Sequence, residues 1–546
     1  MFTSVVLIFG LFAVIIVLVA LAPMLKIPYA ILLVLAGIAL GFLLGFLPGM
    51  PDHTFELAPD LVLLLFLPPL LYASAWTTSW RDFRTNFRVI SLLAIGLVLM
   101  TMVLVAVVAH YVIPELSWPA AFVLGAIVSP TDAVAATSIA ERLGVPRRII
   151  TVLEGESLIN DATGLVAYRF AVVAVVTGVF SLGTALWQFL FVSIGGVALG
   201  LVVGRVLVWI HRRITNASIE ISVTLLAPFV AYLPAEVLNV SGVLAVVTAG
   251  LYVGRQSHRI FSAQTRLQAD AVWDMLVFLL NGAIFLLIGL QLHGILASLG
   301  GREVLQLVIF AALVSLTVIV VRVLWVFPAS YLPRYFSAKL RERDPYPGWR
   351  NVAVVAWTGM RGVVSLAAAL ALPTITEAGT PFVGRELIIF LTFGVIFATL
   401  VVQGFTLPLV IRGLGLSEDG SLQQEESDAR LMTCRAAKVR LEELAGEEWA
   451  PNEIVDHLRL HYTKKSNQYR KEQQLLAGDD SREERDSRDR QHGRRDPYSV
   501  YQRLQLEVLR AQRDAVIQLR DRGDIGDAVL RIIERELDLE EQRIIV

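Results

Sequence analysis

Ser157, Asn160 and Asp161 stand at i, i+3 and i+4 within the stretch EGESLINDATGLVAYRF. On a helix this spacing brings a hydroxyl, an amide and a carboxylate onto one face. All three present oxygen, the donor that hard cations take. The carboxylate can take a proton instead, and one group that must choose between a proton and a cation is the minimum machinery of exchange. A plainer use of the same face is a polar seam that holds helices together in lipid. Glu156 lies on a different face and needs a partner of its own. Glu154 and Arg169, on either side of the triplet, are possible pathway residues. Arg169 lies two turns beyond Asp161, where it lines an outer exit or simply snorkels to the surface.

Two further clusters share this character. SPTDAVAATSIA carries Ser129, Pro130, Thr131 and Asp132 in the middle of an apolar run. Proline removes a backbone donor and clashes with the turn before it, so the helix is expected to break here. Thr131 and Asp132 can satisfy the freed backbone groups, and the acid is favourable at the start of the half-helix that follows. WTGMRGVVSLAAALALP places Arg361 between Gly359, Met360 and Gly362. A guanidinium in an apolar stretch must pair with acid or with backbone carbonyls. Arg361 is therefore the expected partner of Glu156, and its glycines predict a second interrupted helix.

The elements that must hold these groups are membrane helices. The 546 residues are 55% hydrophobic and 17% charged, with a mean hydropathy of +0.64, well outside the balance of soluble domains. Thirteen apolar runs approach the roughly 20 residues needed to cross the hydrocarbon. They lie near 5–25, 29–48, 59–76, 89–113, 118–140, 150–179, 185–210, 217–235, 240–254, 272–297, 304–332, 350–374 and 386–413. The first has no basic flank before it and no small-residue cleavage site after it, and reads as a retained span. Alternate loops, beginning after the first span, carry 17 basic residues, and the opposite set carries 2. Because lysine and arginine accumulate on the cytoplasmic side, the amino terminus is expected outside and the carboxy-terminal tail inside. Small residues at four-residue spacing, Gly37, Gly41 and Gly45, then Gly196, Gly200 and Gly204, read as close helix packing.

The expected breaks fall in spans 5 and 12, the fifth places of spans 1–6 and 8–13. Interrupted helices at corresponding positions of two halves are the sequence mark of an inverted-repeat transporter. The fold class expected is thus an all-α polytopic membrane protein of about thirteen helices over residues 1–415, followed by a polar tail over 416–546. Residues 417–546 hold 23 basic and 29 acidic residues. Helical stretches are expected near 426–446, 499–522 and 527–543, with a charged linker at 479–496. The one cysteine, Cys434, excludes a disulfide scaffold or a cysteine metal site.

Taken in order, SPTDAVA, GESLIND and GMRGVVSLA resemble the monovalent cation:proton antiporter family, in its sodium/proton exchanger branch and in the bacterial form with a long tail. The resemblance covers about residues 1–415. It implies a thirteen-helix inverted-repeat fold, a homodimer, and a core domain that moves against a dimerisation domain. By resemblance, Asp161 binds cation and proton in turn, while Ser157 and the backbone at Thr131 complete its oxygen ligands. Asp132 sits at the helix crossing and contacts the ion through water. Asn160 before Asp161 is the pattern of electroneutral exchange, and Glu156 with Arg361 forms a structural ion pair. One departure stands out. Several relatives carry an acid in span 3 after LPPLL, where this chain has Ala73.

The expected function is a plasma-membrane antiporter exchanging a monovalent cation, Na+ before Li+ or K+, for H+. It needs no cofactor, performs no enzymatic reaction and binds no nucleic acid. No Walker phosphate loop supports an ATP-driven pump. A cation channel using the same polar seam, and an antiporter with K+ as its main substrate, are the alternatives.

Overall fold

The computed structural model describes residues 2–25, 27–45, 62–178, 182–214, 216–299, 303–376, 379–416, 421–447, 449–476 and 497–545. These residues are overwhelmingly helical, and the β structure among them is one isolated bridge between Ile375 and Pro381. A helix or helix pair stands at each place where a span is expected. Among the described residues, eight are long and apolar enough, by length and composition, to cross a membrane. Three shorter apolar helices are Phe9–Leu25, Tyr29–Leu43 and Leu64–Thr77. The charged linker at 479–496 lies outside the described residues.

Both expected breaks are present. Trp118–Val128 ends before Ser129, and Ala133–Arg142 begins after Asp132. Trp349–Trp357 and Val363–Leu370 are likewise separated by the residues Thr358 to Gly362. The first break follows from Pro130. Beyond it Asp132 restarts the helix as its N-cap, accepting a hydrogen bond from the Val134 amide at 2.9 Å. This satisfies one of the free donors that every helix start leaves. The two unwound segments meet directly, since the Asp132 amide donates to the Met360 carbonyl at 2.8 Å.

The chain divides into two compact units, residues 1–260 with 271–417, and residues 261–270 with 418–546. The first holds two separate apolar cores. The larger includes Leu97, Val105, Leu124, Ile127, Val152 and Leu153 together with Val318, Val354 and Ile396. The smaller joins Leu71 and Tyr72 to Leu158, Ala162, Leu207, Val246 and Trp273. The Arg147–Thr177 helix contributes to both, so it runs along the seam between them. The glycine stripes pack as their spacing predicts: Gly37 and Gly41 lie against Leu286 and Leu290, and Gly196 and Gly200 against Ser241 and Ala245.

The second unit is a set of amphipathic helices, Ser421–Leu444, Asn452–Leu476, Pro497–Arg522 and Asp527–Ile545. Three answer to the expected stretches, and Asn452–Leu476 is additional. Its Val455, Leu458 and Tyr462 are buried against Leu441, Leu504 and Val508, a helical stripe masked by its many charges. Residues 261–270 also belong to this unit, where Arg266 Nε donates to Asp538 at 2.8 Å.

Candidate cation and proton site

The site is built where the Arg147–Thr177 helix passes the first break. Ser157 Oγ donates to the Thr131 carbonyl at 3.0 Å. Asn160 Nδ2 donates to Thr131 Oγ1 at 2.6 Å and to its carbonyl at 3.3 Å. Thr131 Oγ1 in turn donates to Glu156 Oε1 at 3.0 Å, and the Ala133 amide donates to Ser157 Oγ at 3.4 Å. Thr131 is therefore the pin of the assembly. An unwound carbonyl without a helical partner is fixed by two side chains one turn apart on the neighbouring helix, as the i, i+3 spacing requires. Close approach is possible because Gly164 faces the Pro130 ring, which a Cβ there would strike.

Asp161 is buried, with 6% of its surface exposed. Among the described residues no backbone or side-chain group donates a hydrogen bond to its carboxylate. Asn160 Oδ1 is also buried without a partner among them. The oxygens left over beside the Thr131 network thus include the Asp161 carboxylate and an amide carbonyl, with the Asp132 carboxylate nearby. No group of three or more His, Cys, Asp or Glu side chains converges among the described residues, so the oxygen set carries little charge. That suits a singly charged cation better than a divalent one, which is held by several carboxylates.

The expected Glu156–Arg361 pair is corrected by the geometry. Glu156 is held by Arg322, whose Nη1 and Nη2 reach its two oxygens at 2.5 and 2.9 Å. Arg322 belongs to the Val304–Phe336 helix and also donates from Nε to the Val355 carbonyl at 3.2 Å. A planar fork that takes both carboxylate oxygens, with Thr131 on one of them, leaves Arg361 no place on Glu156. The guanidinium of Arg361 is fully buried and makes no hydrogen bond among the described residues; its backbone amide donates to Thr399 Oγ1 at 3.1 Å. The flanking glycines take on different meanings here. A Cβ on Gly359 would collide with the Arg322 side chain, and one on Gly362 with the Asp132 carboxylate. GMRG makes room for two charged groups that come from elsewhere.

Arg322 is the residue that sequence reasoning missed. Its signal was present, a single ionisable residue in the middle of SLTVIVVRVLWVF, which by the cost of intramembrane charge is a functional candidate. Arg169 is the other departure. It donates to both oxygens of Glu236 at 2.7 and 2.9 Å, with nearly half of its side chain exposed. The pair ties the Arg147–Thr177 helix to Ala217–Val237. Glu154 is partly buried on the same helix.

Comparison with known proteins identifies the family of the membrane region. The sodium/hydrogen exchanger transmembrane family matches residues 10–413. An uncharacterised Na+/H+ exchanger of Mycobacterium tuberculosis is 37% identical over 519 residues, covering 94% of this chain and 91% of that protein. A sodium, potassium, lithium and rubidium/H+ antiporter of Bacillus subtilis is 30% identical over 515 residues, covering 92% of this chain and 73% of its own. The fold is similar to that of the sodium proton antiporter MjNhaP1 from Methanocaldococcus jannaschii, with a TM-score of 0.61 and 20% identity over 76% of this chain and 99% of that one. With its interrupted helices crossing beside a buried acid, and with a family match that spans the whole membrane region, this chain belongs to the sodium/hydrogen exchanger family of cation/proton antiporters.

Proposed function

We propose that this protein exchanges Na+, or another small monovalent cation, for H+ one-for-one by alternating access, with Asp161 as the group for which cation and proton compete. The observation that carries this reading is the state of Asp161: a buried carboxylate without a hydrogen-bond donor. It sits on the helix that runs along the seam of two apolar cores. Deprotonated, it offers the net charge that a cation needs; protonated, it is neutral and can cross the same seam. Ser157, Asn160 and the Thr131 backbone supply neutral oxygens, and Asp132 at the crossing contributes through water. Asn160 brings no second charge, which supports an electroneutral cycle. The Bacillus subtilis relative is named for four alkali cations, and Ala73 stands where several relatives carry an acid. Both favour a broad cation range for this chain. The amino terminus lies outside the cell membrane, the tail is cytoplasmic, and the working unit is a homodimer.

The test uses purified protein in sealed liposomes with an internal pH dye and, separately, a voltage dye. An imposed proton gradient should collapse on adding Na+ or another alkali cation, but not choline, with no potential generated. Asp161→Asn should abolish the response while its thermal unfolding in detergent stays close to that of the parent. Substantial cation-dependent exchange by Asp161→Asn would refute the role of Asp161, and a generated potential would refute the one-for-one stoichiometry.

A further inference from the structure

Away from the exchange site, three arginines converge on one acid. Asp344 Oδ1 accepts from Arg148 Nη2 at 2.8 Å, while Oδ2 accepts from Arg334 Nη2 at 2.5 Å and from Arg88 Nη2 at 3.4 Å. The three come from different elements: the Trp80–Ser91 helix, the start of Arg147–Thr177 and the end of Val304–Phe336. Neutral groups take some of the remaining donors. Arg148 Nε reaches Asn86 Oδ1 at 2.9 Å, and Arg334 Nε reaches the Asp344 carbonyl at 3.1 Å. Arg88 Nε and Nη1 are buried and have no partner among the described residues.

The charge does not balance. Three guanidiniums face one carboxylate, which leaves two positive charges over; Arg334 is 1% exposed, while Arg88 and Arg148 reach solvent at 31% and 48%. Asp344 has no spare capacity. Its burial alone would raise its pKa, but Arg148 and Arg334 outweigh that and hold it below the usual carboxylate range, so it is already fully ionised. Beside this cluster opens a cavity of about 100 Å³ whose lining is mostly apolar, Val152 and Val355 among it, with Arg148, Arg334, Ser330 and Asn351 supplying its polar part. It is far larger than the roughly 10–15 Å³ that admits one water.

We propose that this pocket binds a phosphate-bearing anion, the chemistry shared by the headgroup of an anionic phospholipid and by free phosphate. Guanidinium matches phosphate geometry through paired donors, and Arg148 and Arg334 bring two guanidiniums to the cavity wall, with Arg88 joined to them through Asp344. All three arginines lie in or beside the loops rich in basic residues, and basic clusters next to membrane spans attract anionic headgroups. The mostly apolar lining accommodates the glycerol and upper acyl carbons of a lipid, and a free phosphate uses the polar part alone.

The experiment takes full-length protein, stripped of lipid in neutral detergent, and follows thermal unfolding and native mass spectra. The additions are inorganic phosphate, short-chain phosphatidylglycerol, and short-chain phosphatidylcholine as control. Stabilisation with a retained adduct from phosphatidylglycerol but not phosphatidylcholine identifies a headgroup site. Stabilisation by phosphate as well identifies a general phosphate site. The double variant Arg88→Gln/Arg148→Gln should lose the response, whereas Arg213→Gln, a basic residue away from the cluster, should keep it. Arg88→Lys retains the charge without the fork, guards against a folding failure of the double variant, and should weaken binding about tenfold. Absence of any anion-dependent shift in the parent would overturn the proposal, as would an undiminished response in these cluster variants.

Discussion

Glu156 and Asp161 lie on the same helix and are almost equally buried, at 1% and 6% exposure, yet their surroundings differ completely. Glu156 has both oxygens taken by Arg322 and one shared with Thr131. Asp161 has no donor among the described residues. The contrast teaches that burial alone does not make a carboxylate available for transport. A paired acid has its charge compensated in place, and moving a proton or cation onto it first requires breaking that pair. An unpaired acid has no such partner to leave, so it is free to exchange one positive charge for another. On the proposed function, the helix carries one acid for holding the fold and one for working, separated by little more than a turn.

The strongest way to break this comparison is to free Glu156. Arg322→Gln leaves a buried carboxylate without its counter-charge, and the expected cost is about 3–5 kcal/mol, read as a large fall in thermal stability in detergent. Glu156→Gln/Arg322→Gln should recover most of the loss, because a neutral amide pair needs no compensating charge. A single variant as stable as the parent would mean that the pair does not hold the fold.

A smaller effect is expected at Thr131, which joins the two acids' surroundings. Thr131→Val removes the donor to Glu156 and an acceptor of the Asn160 amide, at a cost of about 1–3 kcal/mol for the buried groups left unsatisfied. Thr131→Ser keeps the hydroxyl and should keep most of the stability. Full stability in Thr131→Val together with a loss in Thr131→Ser, which alone removes the methyl group, would mean that the hydrogen bonds are not what Thr131 contributes.

Much of this was legible in one dimension. Pro130 announces a break wherever it falls in a helix, the i, i+3, i+4 spacing of Ser157, Asn160 and Asp161 fixes a shared face, and basic residues mark alternate loops. These are local rules, and they need no knowledge of what packs against what. Choosing between Arg322 and Arg361 for Glu156 is a different kind of question. Both are single arginines in apolar runs, and only the packing of the Val304–Phe336 helix against the second break decides which fork reaches the acid. The glycines of GMRG predict an interrupted helix, which is there, but they are also clearances for Arg322 and Asp132, groups far away in the chain. The tail shows the same limit. The Asn452–Leu476 helix hides its apolar stripe among charges, and the membership of residues 261–270 in the second unit has no local signal at all.

The least costly substitution sharpens the comparison most. Arg361 is fully buried, donates no side-chain hydrogen bond among the described residues, and feels Arg322 and Glu156 with opposite sign. Removing its charge breaks no pair and strands no acid, so Arg361→Gln should cost less than Arg322→Gln, with its loss coming from the space the buried side chain filled. That outcome would separate two arginines that look alike in sequence, one fastened to Glu156 and the other not. Thermal unfolding of Arg361→Gln beside Arg322→Gln makes the measurement directly. If Arg361→Gln proved the more damaging of the two, Arg361 would be the true counter-charge of Glu156, and the division of labour along the helix would have to be redrawn with Arg322 as the spare.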